Sequence, residues 1–526
     1  MSAAASADGV RADPQRLRDA LTLTHPAGVV QSRETHISWV FLVGDRAFKL
    51  KKPVVLDFVN YATPARRRAM CHEEVRLNAR LAPDLYLAVR GVADRDGRLE
   101  IVDEADPAAI DYVVEMRRYD EAATLASRVD AKAITPGQIA MVGDRLAEFH
   151  AECPVRDVAR GARTIRHELH QNLSELVDAC AGASLTSPVE ALGRFLDAFA
   201  SAHRAMLDAR GRNGLIREVH GDLRAEHVIL APQLEVVDCV EFDATLRTLD
   251  VADDLAFLVM DLCAHDAERA ARELIAAYRI SGGDCGADEL VWFFAVHRAL
   301  IRAKVALARA SQTTGAAGED AEAGRLLAVA QRCAWRARGA PALAVCGVPA
   351  SGKSHLADAL GDLVGCPVIS SDVVRKEMAG LGPHDRAAVS LYTQEVSVSV
   401  YVELGRRAAA AVDAGSGVLI DATFRRRADR DAFRAGFAAA APMLFMQCVA
   451  PAEVLRLRAC AREREPDRTS DAGLEVVERE RHRFEALDEI PAAAHLLVRT
   501  DRPVHAVLED VMALLDLRLG DNAIAA

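Results

Sequence analysis

Gly347-Val348-Pro349-Ala350-Ser351-Gly352-Lys353-Ser354 follows the apolar run 343–346 and leads into a helix-forming stretch, 355–364. The order strand, glycine loop, helix is that of a phosphate-binding turn. The two glycines let the backbone curl so that several N–H groups face one anion. Lys353 adds a point charge beside the terminal phosphates, and the Ser354 hydroxyl can enter the shell of Mg2+. The helix begins where the phosphates would sit, so its N-terminal end adds partial positive charge. ATP and Mg2+ are the expected cofactors.

Downstream, strands alternate with helices, the pattern of a parallel sheet. A strand at 366–369 runs into Ser370-Ser371-Asp372, with Arg375 one turn later. Ligands of such sheets lie at the C-terminal strand ends. Asp372 is therefore placed to hold or deprotonate an acceptor hydroxyl, and Arg375 to grip an anionic group. Ser-Asp at such a junction is also an ordinary helix cap, but the position at a strand end favours function. The strand 417–421 ends in Asp421-Ala422-Thr423, a carboxylate suited to the Mg2+ shell through water. After a strand at 443–449 comes a helix with Arg456, Arg458, Arg462 and Arg464. Forked guanidinium groups suit phosphate oxygens, so Arg458 and Arg462 are candidates to close over the transferring group, with a solvated basic face as the alternative. A strand at 496–498 and a helix at 503–517 complete the half.

Through these residues, followed by Ser470-Asp471-Ala472, the half 341–517 resembles P-loop kinases of small molecules and nucleic-acid ends: gluconate kinase, chloramphenicol phosphotransferase, polynucleotide kinase and the zeta-toxin-like kinases. The resemblance implies phosphoryl transfer from ATP to a hydroxyl.

Upstream, 34–50 alternates around the turn Val43-Gly44-Asp45-Arg46, and its second strand carries Lys49. Thr63-Pro64 caps a helix expected to reach about Leu81. Met70, Glu74, Leu77 and Leu81 share its apolar stripe, where a carboxylate is costly unless paired. Lys49 is the partner offered. Further on, His220-Gly221-Asp222-Leu223-Arg224-Ala225-Glu226-His227 opens into a strand. A second strand, 235–242, ends near Glu241 and Asp243, and a helix begins near Asp253-Asp254.

These residues, over roughly 21–310, resemble the aminoglycoside phosphotransferase and protein-kinase-like superfamily. The resemblance implies a small β-rich lobe over a helical lobe. In it Lys49 would orient the α- and β-phosphates and pair with Glu74, Asp222 would take the acceptor's proton, and Asp254 would brace the catalytic loop. His227 stands where the family has a metal-binding asparagine, although Mg2+ prefers oxygen ligands. The other metal carboxylate is Glu241 or Asp243. No Gly-x-Gly-x-x-Gly precedes Lys49, so 35–38 would have to cover the phosphates.

The bulk properties fit this division. A chain of 526 residues is too long for one core, and 51% hydrophobic residues make it globular. A net charge of −12 argues against general nucleic-acid or membrane-surface binding. The eleven cysteines are scattered, without metal-ligand spacing, which points to a reducing cytoplasm. No signal peptide is expected from the first 15 residues, and 436–454 is broken by prolines rather than membrane-spanning.

The expected organisation is a loose N-terminus (1–20), a bilobal α+β kinase-like domain (21–310), a linker with a helix (311–340), an α/β parallel-sheet P-loop kinase domain (341–517) and a tail (518–526). Both halves in this order resemble a bacterial family of bifunctional aminoglycoside phosphotransferase-like, ATP-binding proteins of the AAA ATPase type. The expected function is ATP-dependent phosphorylation of a small hydroxyl-bearing acceptor, with the N-terminal domain a second phosphotransferase. Two rivals stand beside it: an N-terminal nucleotide or ligand sensor, and an ATP-hydrolysing switch without kinase activity.

Overall fold

The computed structural model of the chain describes residues 12–24, 30–56, 59–157, 159–180, 185–310, 319–382, 385, 388–438, 443–462 and 482–518. Residues 311–318 of the expected linker, Arg464, Ser470-Asp471-Ala472, the side chain of Arg462 and residues 519–526 lie outside them. The chain divides into two compact units, residues 1–161 with 208–287, and residues 162–207 with 288–526.

In the first unit the start is not loose throughout. Helix α1 (Pro14–Thr24) buries Leu17 and Leu21, an i, i+4 pair, against Val30, Phe41 and Leu50 of the sheet core. The sheet is antiparallel and six-stranded: β1 (Gln31–Glu34), β2 (Ser38–Val43), β3 (Arg46–Lys51), β4 (Tyr86–Arg95), β5 (Arg98–Val102) and β6 (Ala109–Arg117), in the order β1-β2-β3-β6-β4-β5. Helix α2 (Pro64–Asn78) starts at the expected Thr63 cap and stops at Asn78, short of Leu81. Its inward face is Arg67, Cys71, Glu74 and Leu77, at the three- and four-residue spacing of one helix side. The strand expected over 235–242 is only Glu235–Val236, paired with Val228–Ile229. The chain then turns at Asp238, whose φ of 67° is left-handed, and this releases Asp238 to point elsewhere. Helix α3 (Val251–Ala264) follows, buried over most of its length.

The second unit holds a five-stranded parallel sheet: β7 (Ala342–Cys346), β8 (Val368–Ser370), β9 (Val418–Asp421), β10 (Met443–Val449) and β11 (His495–Arg499), ordered β8-β9-β7-β10-β11. Central β7 is buried on both faces, which explains its unbroken apolar sequence. Leu343 and Val345 face α4 (Lys353–Val364), while Ala344 and Cys346 join Tyr401 and Leu404 of helix Gln394–Asp413 on the other side. Helices α5 (Ser371–Met378) and α6 (Ala452–Arg462) follow β8 and β10. The helices of 162–207 and 288–337 belong to this unit. Arg338 at their end stacks over Phe195 at 4.4 Å and pairs with Asp516. The chain thus combines an α+β unit with an α/β parallel-sheet unit. Among the described residues no helix is long and apolar enough to cross a membrane.

Candidate functional site

The phosphate loop of the second unit springs from the middle strand. Gly347, Ala350 and Gly352 have φ of 140°, 65° and 87°, so the chain curls through conformations that L side chains avoid. A Cβ on Gly347 would lie 2.6 Å from the Cys448 carbonyl oxygen, which excludes any side chain there. Val348 and Pro349 form the outer bend. Ser351 N–H donates to the Val348 carbonyl (3.1 Å), and the Ser351 carbonyl accepts from the Thr500 hydroxyl (2.5 Å). Helix α4 begins at Lys353, directly followed by Ser354, and Gly352 caps it without a side-chain bond.

Around this loop the strand ends supply the polar groups. Asp421 lies in register with Val345 of β7 and Ser370 of β8. Its Oδ1 is buried without a hydrogen-bond partner among the described residues. Such an orphaned acceptor fits a hydrated cation. Asp372 sits in the first turn of α5. Burial raises its pKa, Asp421 adds to the rise and Lys353 opposes it, so the carboxyl is poised to take a proton. Arg375 does not pair with Asp372. Its Nη1 donates to the Leu391 carbonyl (2.8 Å) and its guanidinium stacks on Tyr392 at 4.8 Å, leaving buried Nε without a partner among the described residues. Arg458 is tied by Nη2 to the Thr500 carbonyl (2.5 Å). With Gly352, His355, Thr500, Arg502 and Pro503 it lines a cavity of about 390 Å3 beside the loop. Tyr401 is a residue that sequence reasoning missed. Its hydroxyl reaches Thr423 Oγ1 (3.2 Å) and accepts from Phe424 N–H (3.1 Å), steadying a left-handed Phe424 (φ 48°) just after Asp421. It lies mid-helix, where nothing in the sequence marks it.

The first unit gathers a second cluster. Lys49 and Lys51 share one face of β3, two residues apart. Lys49 Nζ lies 2.8 Å from Glu74 Oε1 and 2.7 Å from Asp238 Oδ1. Lys51 Nζ lies 2.7 Å from Glu74 Oε2 and 2.5 Å from Glu241 Oε1, which also accepts from the Tyr61 hydroxyl (2.8 Å). Burial opposes the charge on both lysines, but the surrounding carboxylates outweigh it and raise both pKa values. Glu241 is therefore committed to a buried ion pair. Asp243 caps a turn through Thr245. Neither stands beside His227; Asp238 does, with Oδ2 3.7 Å from His227 Nε2. Burial would raise the Asp238 pKa, yet the Lys49 ammonium holds it far below the usual carboxylate range.

The loop 220–227 is held from behind. Asp254 accepts from Gly221 N–H (2.8 Å), His220 N–H (3.2 Å) and His150 Nε2 (3.0 Å). Burial works against its charge, but these donors hold its pKa at about 2. Gly221 has φ 84°, and a Cβ there would meet the Leu246 carbonyl at 2.8 Å. His220 Nε2–H donates to the Val237 carbonyl (3.0 Å), and burial lowers its pKa to about 4. Asp222, about a quarter exposed, receives Arg224 Nε at 3.1 Å. His227 Nδ1–H donates to the Asp222 carbonyl (2.9 Å), so its Nε2 accepts from Arg224 Nη2 (3.1 Å). Lys51 could have been found from its period-two spacing to Lys49. Asp238, inside an apolar run, carried no such signal.

A family model described as an AAA domain matches residues 343–487. The uncharacterized protein Rv2004c of Mycobacterium tuberculosis (strain H37Rv) is 34% identical over 403 residues, covering 75% of this chain and 78% of that protein. Among solved structures, a choline/ethanolamine kinase family protein from Mesorhizobium loti is 16% identical over 61% of this chain and 94% of its own, with a TM-score of 0.38. A sugar kinase from Janibacter sp. HTCC2649 is 22% identical over 35% of this chain and 98% of its own, with a TM-score of 0.27.

Proposed function

We propose that this chain, which belongs to the same family as the Mycobacterium tuberculosis protein Rv2004c, is an ATP-dependent phosphotransferase. Its second unit would move the γ-phosphoryl group of ATP to a hydroxyl of a small acceptor. The observation that carries this is the pairing of a left-handed phosphate loop with an orphaned Asp421 oxygen and a proton-seeking Asp372 at neighbouring strand ends. The loop amides and Lys353 bind the phosphates, and Ser354 and Asp421 would hold Mg2+, which would offset charge on the phosphate oxygens. Asp372 takes the acceptor proton as its oxygen bonds to the γ-phosphorus and the bond to the ADP oxygen breaks. Arg458 and Arg462 stabilise the charge on the group in transit. Arg375 grips the acceptor through its unpartnered Nε–H. The cavity beside Gly352 and Arg458 receives the base.

In the first unit the same reading gives Lys49 to the α- and β-phosphates, Asp222 to the acceptor proton, and Asp238, in place of Glu241 or Asp243, to the metal. A second reading is favoured by Arg224, which occupies both Asp222 and His227: the unit then binds nucleotide as a sensor without transferring phosphate. Incubation with γ-labelled ATP, Mg2+ and a metabolite extract separates these. Label should enter a small molecule and vanish with Lys353→Ala. Loss with Asp222→Asn instead would assign transfer to the first unit. ADP release that no acceptor stimulates would leave only a hydrolytic switch.

A further inference from the structure

The mechanism sketched above uses Lys49 and leaves Lys51 unexplained, although Lys51 is one of only seven lysines in the chain. Its ammonium is fully buried, whereas the Lys49 side chain keeps 13% exposure. Burying an ammonium is expensive unless it is paired and hydrogen-bonded, and Lys51 meets two buried carboxylates from separate segments, Glu74 of α2 and Glu241 beyond the Asp238 turn. Glu74 is thereby held from both sides: Oε2 accepts a hydrogen bond from Lys51, and Oε1 faces the Lys49 ammonium across an ion pair of 2.8 Å. A carboxylate gripped on one side can rotate or withdraw with its helix. One gripped on both sides cannot, without stranding Lys51 in the interior.

We propose that Lys51 is a positioning residue that locks Glu74 and so fixes Lys49 toward Asp238, giving the first unit a nucleotide site assembled before any ligand arrives. Helix α2 is bolted to β3 and to the 238–241 segment through one ammonium. Lys49, two residues along the strand, inherits a fixed direction. This inference rests on the reading of Lys49 as a phosphate-binding lysine.

The test uses the full chain carrying Lys353→Ala, so that Mg–ATP binding measured by calorimetry reports the first unit. Lys51→Met combined with Glu241→Gln removes one positive and one negative charge and leaves the Lys49–Glu74 pair balanced. Mg–ATP should then bind at least about tenfold more weakly at an unfolding temperature close to the parent's, and Lys51→Arg with Glu241 intact should restore most of the affinity. A merely structural Lys51 would move the unfolding temperature and the affinity together, or neither. If the double variant binds like the parent, the inference is overturned while the role of Lys49 stands. If the Lys353→Ala parent does not bind at all, the nucleotide reading of the first unit falls, and this inference with it. Should the double variant not fold, timed acetylation of the unmodified protein decides. Lys49 should react and be protected by Mg–ATP, with Lys51 silent in both states. Equal labelling of Lys51 would mean that the lock does not stand.

Discussion

On the proposed reading the two sites solve one problem, holding a polyanion, with different materials. The second unit uses backbone: three left-handed residues, a helix start and strand ends, with Lys353 and Ser354 partly open to solvent. The first uses side chains from three distant segments, packed into buried charge pairs around Glu74. The difference teaches where function and stability separate. In the phosphate loop a side chain can be removed without leaving a buried partner behind; around Glu74, removing one member of a pair strands the other in the interior.

The comparison breaks first if Glu74→Ala is harmless. That change strands the Lys51 ammonium, and urea unfolding should show a loss of about 3–5 kcal/mol together with loss of nucleotide binding. Lys353→Ala should do the opposite: turnover by the second unit falls about 10²–10³-fold, while stability stays within about 0.5 kcal/mol of wild type. A large stability loss there would erase the contrast.

Acid sharpens it further. His220 titrates at about 4 when folded, against 6.5 in the unfolded chain. Between those values the unfolded state binds more protons, so stability contributed at neutral pH is lost as pH falls from 6.5 to 4, up to about 3 kcal/mol. Hydrogen exchange across 216–240 should quicken over that window, and His220→Gln should flatten the response. The smallest effect belongs to Asp372→Asn. Burial disfavours its charge, so the variant should be as stable as wild type or more stable by up to about 1 kcal/mol, while acceptor phosphorylation is lost.

How much could be read beforehand follows the same line. The phosphate loop is contiguous, and each of its positions has a local reason, so the residues that form it stand in the sequence in plain order. The α2 stripe likewise placed Glu74 inside, and one buried carboxylate called for one lysine. What could not be read was where a chain turns when the turn is enforced from outside. The strand expected through Phe242 stops at Val236 because Asp238 N–H meets the Tyr86 hydroxyl and its carboxylate meets Lys49, contacts across 152 and 189 residues. That one turn brings Asp238, rather than Glu241, beside Lys49 and His227 and leaves Glu241 to Lys51. Arg375 shows the same limit, since helical spacing set it near Asp372 but Tyr392 and the Leu391 carbonyl drew it away.

The alternation of the two units along the chain has a consequence for synthesis. Residues 162–207 leave the ribosome before 208–287, yet they pack with residues that begin at 288. The first unit cannot close until an excursion of 46 residues has been looped out of it, and those helices must wait, half-partnered, for the second unit to arrive. No single cut of the gene parts one unit cleanly from the other.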